Sequence, residues 1–239
     1  MTIPPITNKQ KEIIFLLYRF RFLNRIQIQK LLHHKNPKNI NVWLRDLTEK
    51  NYTGRIYENT REGMIIPARY YLAKNGIKFL RTQPTIEKSY LPKLHKEDRR
   101  TKSFIQKCLL IGDIYLSLVE KLGMSPGFKF YTQSDFPKDG VIRELSPSFA
   151  YIREINGEIE HYACEILEKG MDNRKMEGRI KKYIEFFSED EDSGNNIVII
   201  CPNDGILRHV NRFTQKYIED ENIEDLNLHF STKERLNLL

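Results

Sequence analysis

Four polar side chains near position 40 have the chemistry to hydrogen-bond with the edges of nucleic-acid bases. They are Lys38, Asn39, Asn41 and Arg45. An asparagine amide can pair with adenine through two hydrogen bonds, and an arginine guanidinium can pair with guanine in the same way. Apolar residues at helical spacing accompany them, so the four are expected on or beside the solvent face of one helix. This layout is typical of a recognition helix, and an ordinary amphipathic helix with a solvated polar face is the alternative.

The segment after that helix predicts a hairpin with a basic outer face. Two strand-like runs, 55–58 and 65–72, are joined by a polar tip at 59–63. Alternation along the strands sends one set of side chains inward, namely Ile56, Tyr70 and Leu72. The outward set and the tip together supply Arg55, Tyr57, Arg61 and Arg69. Basic side chains with an interleaved aromatic ring favour contact with phosphates.

Glu165 is the candidate for metal chemistry. It lies on a predicted strand, 158–167, that follows another predicted strand, 147–155. The arrangement resembles the PD-(D/E)XK nuclease fold, in which a carboxylate on one strand and a Glu-x-Lys on the next hold Mg²⁺ and support the attacking water. Here Ser148 occupies the position of the first carboxylate and Leu167 the position of the lysine. One carboxylate without a neighbouring cation predicts a poor Mg²⁺ site.

A lysine from the next predicted helix could replace the missing one. Lys181 and Lys182 belong to this helix, 173–187, and would lie one packed layer from Glu165. A second carboxylate would also be required, and none of the upstream candidates has the expected position. These candidates are Asp135, Asp139 and Glu144. We therefore predict no catalytic residue, no metal site and no cofactor, and we expect Glu165 to form an ion pair with a nearby lysine. The alternative is a nuclease that uses Glu165, Lys181 and Lys182 with Mg²⁺.

Charge divides the chain into two halves of opposite sign. Residues 1–100 contain 21 Lys and Arg against 8 Asp and Glu, whereas residues 101–239 contain 18 against 24. A positive surplus of that size favours a polyanionic partner, because neutralising phosphates releases condensed counterions. The asymmetry predicts two modules with different partners, with double-stranded DNA as the partner of the first.

Capping signals and periodicity place three helices before the hairpin. Thr7 with Gln10 and Asn24 with Gln27 are capping-box pairs, and Pro37 suits the first turn of a third helix that continues to about residue 50. The buried face of this third helix would consist of Ile40, Trp43, Leu44 and Leu47. A short helix, 73–81, closes the pattern. We expect a winged helix-turn-helix domain over residues 1–81, followed by a linker over 82–96.

Residues 97–239 predict a mixed sheet flanked by helices. Helices are expected over 97–122, 173–187 and 204–218, and strands over 128–132, 147–155, 158–167, 197–201 and 226–230. Asn156-Gly157 supplies a type I′ turn between the second and third strands. The fold class is therefore α+β or α/β, with a PD-(D/E)XK-like second domain that we expect to be inactive.

Cysteine usage and hydropathy indicate the cellular compartment in which the protein is expected. Cys108, Cys164 and Cys201 are odd in number and lie in apolar contexts, which predicts buried thiols rather than disulfides. No apolar run approaches the length of about 20 residues that a membrane span needs. The first residues do not have the pattern of a signal peptide. We expect a cytoplasmic protein without a membrane partner.

Several soft motifs together resemble the replication-relaxation family. They are the run at 17–23, the helix at 109–116, the strands at Pro147 and Glu165, and the helix at Lys181-Lys182-Tyr183. Members of that family look like plasmid and mobile-element proteins with a DNA-binding winged helix and a nuclease-like domain. The resemblance implies a role in plasmid replication and in the relaxation of supercoiled DNA.

Three functions follow from these observations. The first is a duplex DNA-binding protein of a plasmid or mobile element, sequence-specific or guided by DNA structure, that acts in replication or relaxation or in their control. The second is a Mg²⁺-dependent endonuclease or nickase that uses Glu165. The third is a winged-helix transcription repressor, which would share every N-terminal feature. For the acidic half, the expected partners are a second copy of the chain or replication and mobilisation proteins.

Overall fold

The computed structural model describes residues 3–57, 66–123, 125–137, 141–188, 195–223 and 226–235. The chain forms two compact units, Met1–Ser117 (unit 1) and Leu118–Leu239 (unit 2). Both combine helices with a sheet, so the expected α+β character is confirmed.

Three helices open unit 1: α1 (Asn8–Phe20), α2 (Arg25–Leu31) and α3 (Pro37–Glu49). Each predicted start is confirmed. At α1, the Gln10 backbone N–H donates to Thr7 Oγ1 (3.3 Å) and the Thr7 N–H donates to Gln10 Oε1 (2.8 Å). The equivalent reciprocal bonds join Asn24 and Gln27 at α2. These bonds satisfy amides that the helix itself leaves unpaired.

A three-stranded antiparallel sheet follows from β1 (Leu23–Asn24), β2 (Thr53–Ile56) and β3 (Arg69–Leu72), in the order β1-β3-β2. The hairpin strands are thus shorter than predicted, and β1, which lies between α1 and α2, has only two residues and is not predicted by the sequence. The register pairs Arg55 with Tyr70. The predicted tip, 59–63, lies outside the described residues.

The apolar faces of the three helices form the core of unit 1. Fully buried side chains include Ile13, Ile14, Leu17, Ile28, Ile40, Leu44 and Leu47. A fourth helix, α4 (Lys74–Arg81), contacts β2. Gly76 makes this approach feasible, since a Cβ atom there would lie 2.4 Å from the carbonyl oxygen of Tyr52.

Residues 82–96, which the sequence predicts as a linker, pack into unit 1. Ile86, Tyr90, Leu91 and Leu94 are buried. Arg21, at the end of α1, donates from Nη2 to the carbonyl of Lys93 (3.0 Å) and from Nε to Glu97 Oε1 (3.2 Å). Both side chains of the Arg21–Glu97 ion pair are buried. The segment is therefore held by a buried ion pair as well as by apolar packing.

The same contact changes the start of the next helix. The sequence predicts helix α5 (Lys102–Leu122) from residue 97, but residues 97–99 form a separate 3-10 turn. Glu97 faces Arg21 and lies 3.6 Å from Arg100 Nε through its second oxygen. A carboxylate held inside the fold on a turn explains why the helix begins five residues late.

Unit 2 contains a five-stranded mixed sheet in the order β4-β5-β6-β7-β8. Its strands are β4 (Lys129–Thr132), β5 (Phe149–Ile155), β6 (Glu158–Ile166), β7 (Asn195–Cys201) and β8 (Leu228–Thr232). Its helices are α6 (Val141–Leu145), α7 (Asn173–Ser188) and α8 (Asp204–Glu221). Strands β4 to β6 pair antiparallel and β6 to β8 pair parallel. The short α6 is the helix of this unit that the sequence does not predict.

The β5–β6 turn and the two crossovers follow local rules. Asn156 and Gly157 have φ values of 54° and 87°, the positive angles that a type I′ turn requires. Parallel neighbours need a crossover connection, and α7 and α8 supply it. Residues from both helices pack on one face of the sheet, in a cluster that includes Ile180, Ile184, Ile197, Ile199 and Val210. Glu165 alternates with two members of this cluster, Ala163 and Leu167, and so lies on the same face.

The cysteine prediction is confirmed, since Cys108, Cys164 and Cys201 are buried and free. Burial raises the pKa of Cys201 to about 12 and raises that of Cys164 well above its usual value. Both thiols therefore stay protonated and unreactive at neutral pH. In the described parts of the chain, no helix combines the length and apolar character that crossing a membrane requires.

Candidate nucleic-acid interface

Helix α3 presents a polar face to solvent and an apolar face to the core. Lys38, Asn39, Asn41 and Arg45 are all exposed. On the opposite face, Ile40, Leu44 and Leu47 are fully buried. Trp43, which the sequence predicts with the buried set, is only half-buried. It packs edge-on against the His34 ring, with centroids 4.9 Å apart.

The N-terminal end of α3 is fixed by the residue before Pro37. The side-chain oxygen of Asn36 accepts a hydrogen bond from the Lys38 backbone N–H (2.9 Å). No acidic residue lies in the first turn. The positive end of the helix dipole therefore adds to the charges of Lys38 and Arg45 rather than being neutralised within the helix.

Two acidic residues, Asp46 and Glu49, lie in the later turns of α3, and Asp46 is paired within unit 1. Asp46 Oδ2 accepts from Lys50 Nζ (2.8 Å) and from Gln10 Nε2 of α1 (2.6 Å). The hydrogen bond from Lys50 lowers the pKa of the Asp46 carboxyl below its usual value. Asp46 thus anchors α3 to α1 and is neutralised locally. Glu49 is exposed but lies at the opposite end of the helix from Lys38, so the positive charge of the exposed face is concentrated toward its N-terminal end.

The stability of this helix start can be tested at Asn36. Because the Asn36 cap satisfies one helix amide, Asn36→Ala is expected to lower the free energy of unfolding by about 1 kcal/mol. Asn36→Ser, which keeps a capping oxygen, should unfold close to the native midpoint. Chemical denaturation of the three proteins measures this, and equal stability of the alanine and native chains would contradict the assigned cap.

The end of β2 forms a second exposed basic feature. The Arg55 guanidinium lies 5.1 Å from the centre of the Tyr57 ring, and Tyr57 is 60% exposed. Burial raises the pKa of the neighbouring Tyr70, and the charges of Arg55 and Arg25 oppose that rise. At Gly54 a Cβ atom would lie 2.2 Å from the Tyr71 ring, so a larger residue there would displace that ring. Packing on one side of β2 thus leaves Arg55 and Tyr57 in solvent.

Two other predicted arginines have different outcomes. Arg61 lies outside the described residues, so its position stays a prediction. The predicted outward orientation of Arg69 is wrong, because the residue is 4% exposed. It lies on β3, the central strand, with β1 on one side and β2 on the other, and both α1 and the 97–99 turn contact this strand. Consecutive residues Arg69 and Tyr70 are both covered, so alternation does not expose either.

Glu165, the candidate for metal chemistry, is enclosed by donors from α7. Its Oε2 accepts from Arg179 Nη2 (2.8 Å) and from the Tyr183 hydroxyl (2.9 Å). Burial raises the pKa of Tyr183, and the negative charge of Glu165 raises it further, so the hydroxyl stays protonated and remains a donor. Burial alone would lower the pKa of Arg179, but the interactions with Glu165 and Tyr183 together outweigh it, so the net pKa is raised. The arrangement is a buried ion pair with a hydrogen-bonded hydroxyl.

The lysines expected near Glu165 lie elsewhere. Lys181 Nζ is 3.5 Å from Glu185 and 4.8 Å from the centre of the Tyr217 ring. Lys182 donates to the carbonyl of Glu144. The predicted ion pair therefore forms with an arginine instead of a lysine. The available sequence signal was spacing, since Arg179 and Tyr183 are four residues apart and share one face of α7.

Ser148, which replaces the first carboxylate of the nuclease pattern, has a backbone role. Its Oγ accepts from the Ile166 N–H (2.9 Å), and its own N–H donates to the Cys164 carbonyl (2.9 Å). Asp135 accepts from the Thr132 N–H (2.9 Å) in the turn after β4, and Asp139 lies outside the described residues. Over the ranges that the structure describes, no three His, Cys, Asp or Glu side chains form a group that could hold a metal ion.

Comparison with known proteins gives one match. A family model described as "Replication-relaxation" matches residues 15–197, which span all of α2 to α7 and reach into β7. No curated protein and no solved structure matches the chain.

Proposed function

The chain belongs to the replication-relaxation family, and from this premise we propose that unit 1 binds duplex DNA in a process of replication or relaxation. The observation that carries the proposal is the exposed face of α3, where two cations and two amides surround a helix start without acidic residues. These groups suit the acceptor-rich edges of bases in the major groove.

We interpret unit 1 as a winged helix. Three helices are followed by an antiparallel hairpin, with β1 between α1 and α2 completing the sheet. In that arrangement α3 is the recognition helix and the connection between β2 and β3 is the wing. Lys38, Asn39, Asn41 and Arg45 then enter the major groove. Arg55, Tyr57 and Arg61 follow the phosphate backbone, and buried Arg69 is left out of the interface.

The charge of unit 1 supports a polyanionic partner. Its residues, 1–117, contain 23 Lys and Arg against 9 Asp and Glu, whereas residues 118–239 contain 16 against 23. A surplus confined to one unit concentrates the attraction for phosphates there. The acidic unit 2 would be repelled by DNA as a whole, so its role lies with protein partners.

We propose that unit 2 is a PD-(D/E)XK-like domain used for assembly, with a second copy of the chain or with replication and mobilisation proteins. The order of its strands, three antiparallel followed by two parallel, fits that fold. The support for assembly rather than cleavage is at Glu165, where Arg179 and Tyr183 occupy the same carboxylate oxygen. The charge of this carboxylate is already balanced by a guanidinium, an arrangement that favours an ion pair over a bound Mg²⁺.

A supercoiled plasmid tests binding and cleavage in the same lanes. We expect gel retardation that weakens steeply with increasing salt, because phosphate contacts dominate nonspecific affinity. The plasmid should remain supercoiled with Mg²⁺ or Mn²⁺ present. Retardation that does not depend on salt would contradict DNA binding through the basic face. Metal-dependent nicking that Glu165→Gln abolishes would support the endonuclease alternative.

The distinction from a transcription repressor depends on where the protein binds. A repressor shares every feature of unit 1 and would occupy promoters, whereas the proposed protein would occupy a replication origin. Mapping of bound DNA fragments in a cell that carries the encoding element separates the two, and occupancy restricted to promoters would favour the repressor.

A further inference from the structure

The centre of the exposed face of α3 is apolar. Val42 is 50% exposed and is the one large hydrophobic residue of this helix that lies in solvent to such an extent. It lies four residues after Lys38 and three before Arg45, so the three side chains form one stripe along the helix. The buried residues Ile40 and Leu44 lie on the opposite side.

Neither helix propensity nor core packing favours a valine at this position. Its β-branched side chain has a lower helix propensity than alanine, lysine or glutamine. About half of its apolar surface also stays in water, where it contributes nothing to the core. A contact made only in a complex would account for it.

Duplex DNA offers one apolar group that suits such a contact. In the major groove each base edge presents hydrogen-bonding atoms, and thymine alone adds a methyl group, at C5. Val42 lies between Lys38 and Arg45 on the helix. When these two cations reach phosphates and base edges, the Val42 side chain is brought close to the base edges as well. The two methyl groups of Val42 can then pack against the thymine methyl without a hydrogen-bonding partner.

We propose that Val42 is a specificity-determining residue that recognises the C5 methyl of a thymine in the major groove. This inference rests on the proposed binding of duplex DNA by α3. It adds a requirement that the polar residues do not impose: at one position of the bound site, thymine is preferred over uracil as well as over the other bases.

The test begins with duplexes selected by the native protein from a random-sequence pool. Each thymine of a selected duplex is then replaced singly by deoxyuridine, which removes only the methyl group. At one position we expect affinity to fall about fourfold, the equivalent of about 0.8 kcal/mol for one buried methyl-sized group. Val42→Ala should bind the thymine and uracil duplexes equally, whereas Val42→Thr, which keeps one methyl, should retain part of the difference.

Ile26 provides the matched control, because it is a second exposed aliphatic side chain of unit 1, on α2, with 44% exposure. Ile26→Ala should keep the full discrimination between thymine and uracil. If the native protein binds the selected duplex but no uracil substitution weakens it, the Val42 inference fails and DNA binding stands. The inference also fails if Val42→Ala keeps the fourfold difference. If the native protein recovers no duplex at all, DNA binding itself fails, and the inference with it.

Discussion

Reversing two charges on α3 is expected to remove most of the affinity for duplex DNA. In the variant Lys38→Glu/Arg45→Glu, each substitution deletes one contact and places a carboxylate against the polyanion. Loss of a directed contact of this kind costs about 1–3 kcal/mol. Because about 1.4 kcal/mol corresponds to a factor of ten, the double variant should bind about 100-fold more weakly or worse. Fluorescence anisotropy at constant salt measures the change.

A matched variant separates local contacts from total charge. Lys74 and Lys78 are exposed residues of α4 in the same unit. Lys74→Glu/Lys78→Glu changes the net charge by the same amount, so it should weaken binding only through the general field, and less so as salt screens it. All four side chains are exposed, and both variants should unfold near the native midpoint. An equal loss of affinity in the two variants would contradict α3 as the contacting element.

Helix starts in this chain could be predicted because their causes are local. The capping pairs Thr7 with Gln10 and Asn24 with Gln27 are only three residues apart, and each pair satisfies the amides of its own helix. The turn at Asn156-Gly157 is equally local. Where the residues that define an element are neighbours in the sequence, the sequence pattern is sufficient to predict that element.

The segment 82–96 could not be predicted correctly because its contacts are distant. Its prolines and lysines favour a linker, yet Arg21, on another element far upstream, donates to the Lys93 carbonyl and to Glu97. The same ion pair delays α5. No local propensity encodes a partner that many residues of intervening chain bring close.

The wrong orientation of Arg69 has a similar origin. Alternation would have been a sound guide for an edge strand with one open face. Strand β3 is instead contacted by α1 and by the 97–99 turn, in addition to its pairing with β1 and β2. Both of these contacts are distant in sequence, so the alternation pattern of β3 alone cannot show which of its side chains are covered.

At Glu165 the sequence predicts the kind of interaction but not the partner. The prediction that Glu165 forms an ion pair is confirmed, but its partner is an arginine and not the expected lysine. The choice depends on how α7 is rotated against the sheet. That rotation places Arg179 and Tyr183 over the carboxylate and turns Lys181 toward Tyr217. Packing of the apolar stripe sets it, through residues such as Ile180 and Ile184.

Removal of the Arg179 guanidinium should strongly destabilise unit 2. The Glu165 side chain is 4% exposed, so Arg179→Met leaves a buried carboxylate without its cation. Breaking a buried pair in this way costs about 3–5 kcal/mol, and we expect about 3 kcal/mol because Arg179 itself is 26% exposed. Chemical denaturation, followed by circular dichroism, measures the free energy of unfolding.

A second substitution shows whether the loss arises from the stranded charge. In Arg179→Met/Glu165→Gln the buried charge is gone, and the Tyr183 hydroxyl can still donate to the amide oxygen, so most of the lost stability should return. Replacing both members of a buried ion pair by uncharged residues often changes stability little, whereas removing one member does not.

Lys182→Met, which deletes a neighbouring cation of α7 that donates to the Glu144 carbonyl, should change stability by less than about 0.5 kcal/mol. If the double variant is no more stable than Arg179→Met, the guanidinium contributes through its packing on the Tyr183 ring rather than through the charge of Glu165. Recovery in the double variant would mean that the buried Glu165 is maintained by charge neutralisation inside the chain.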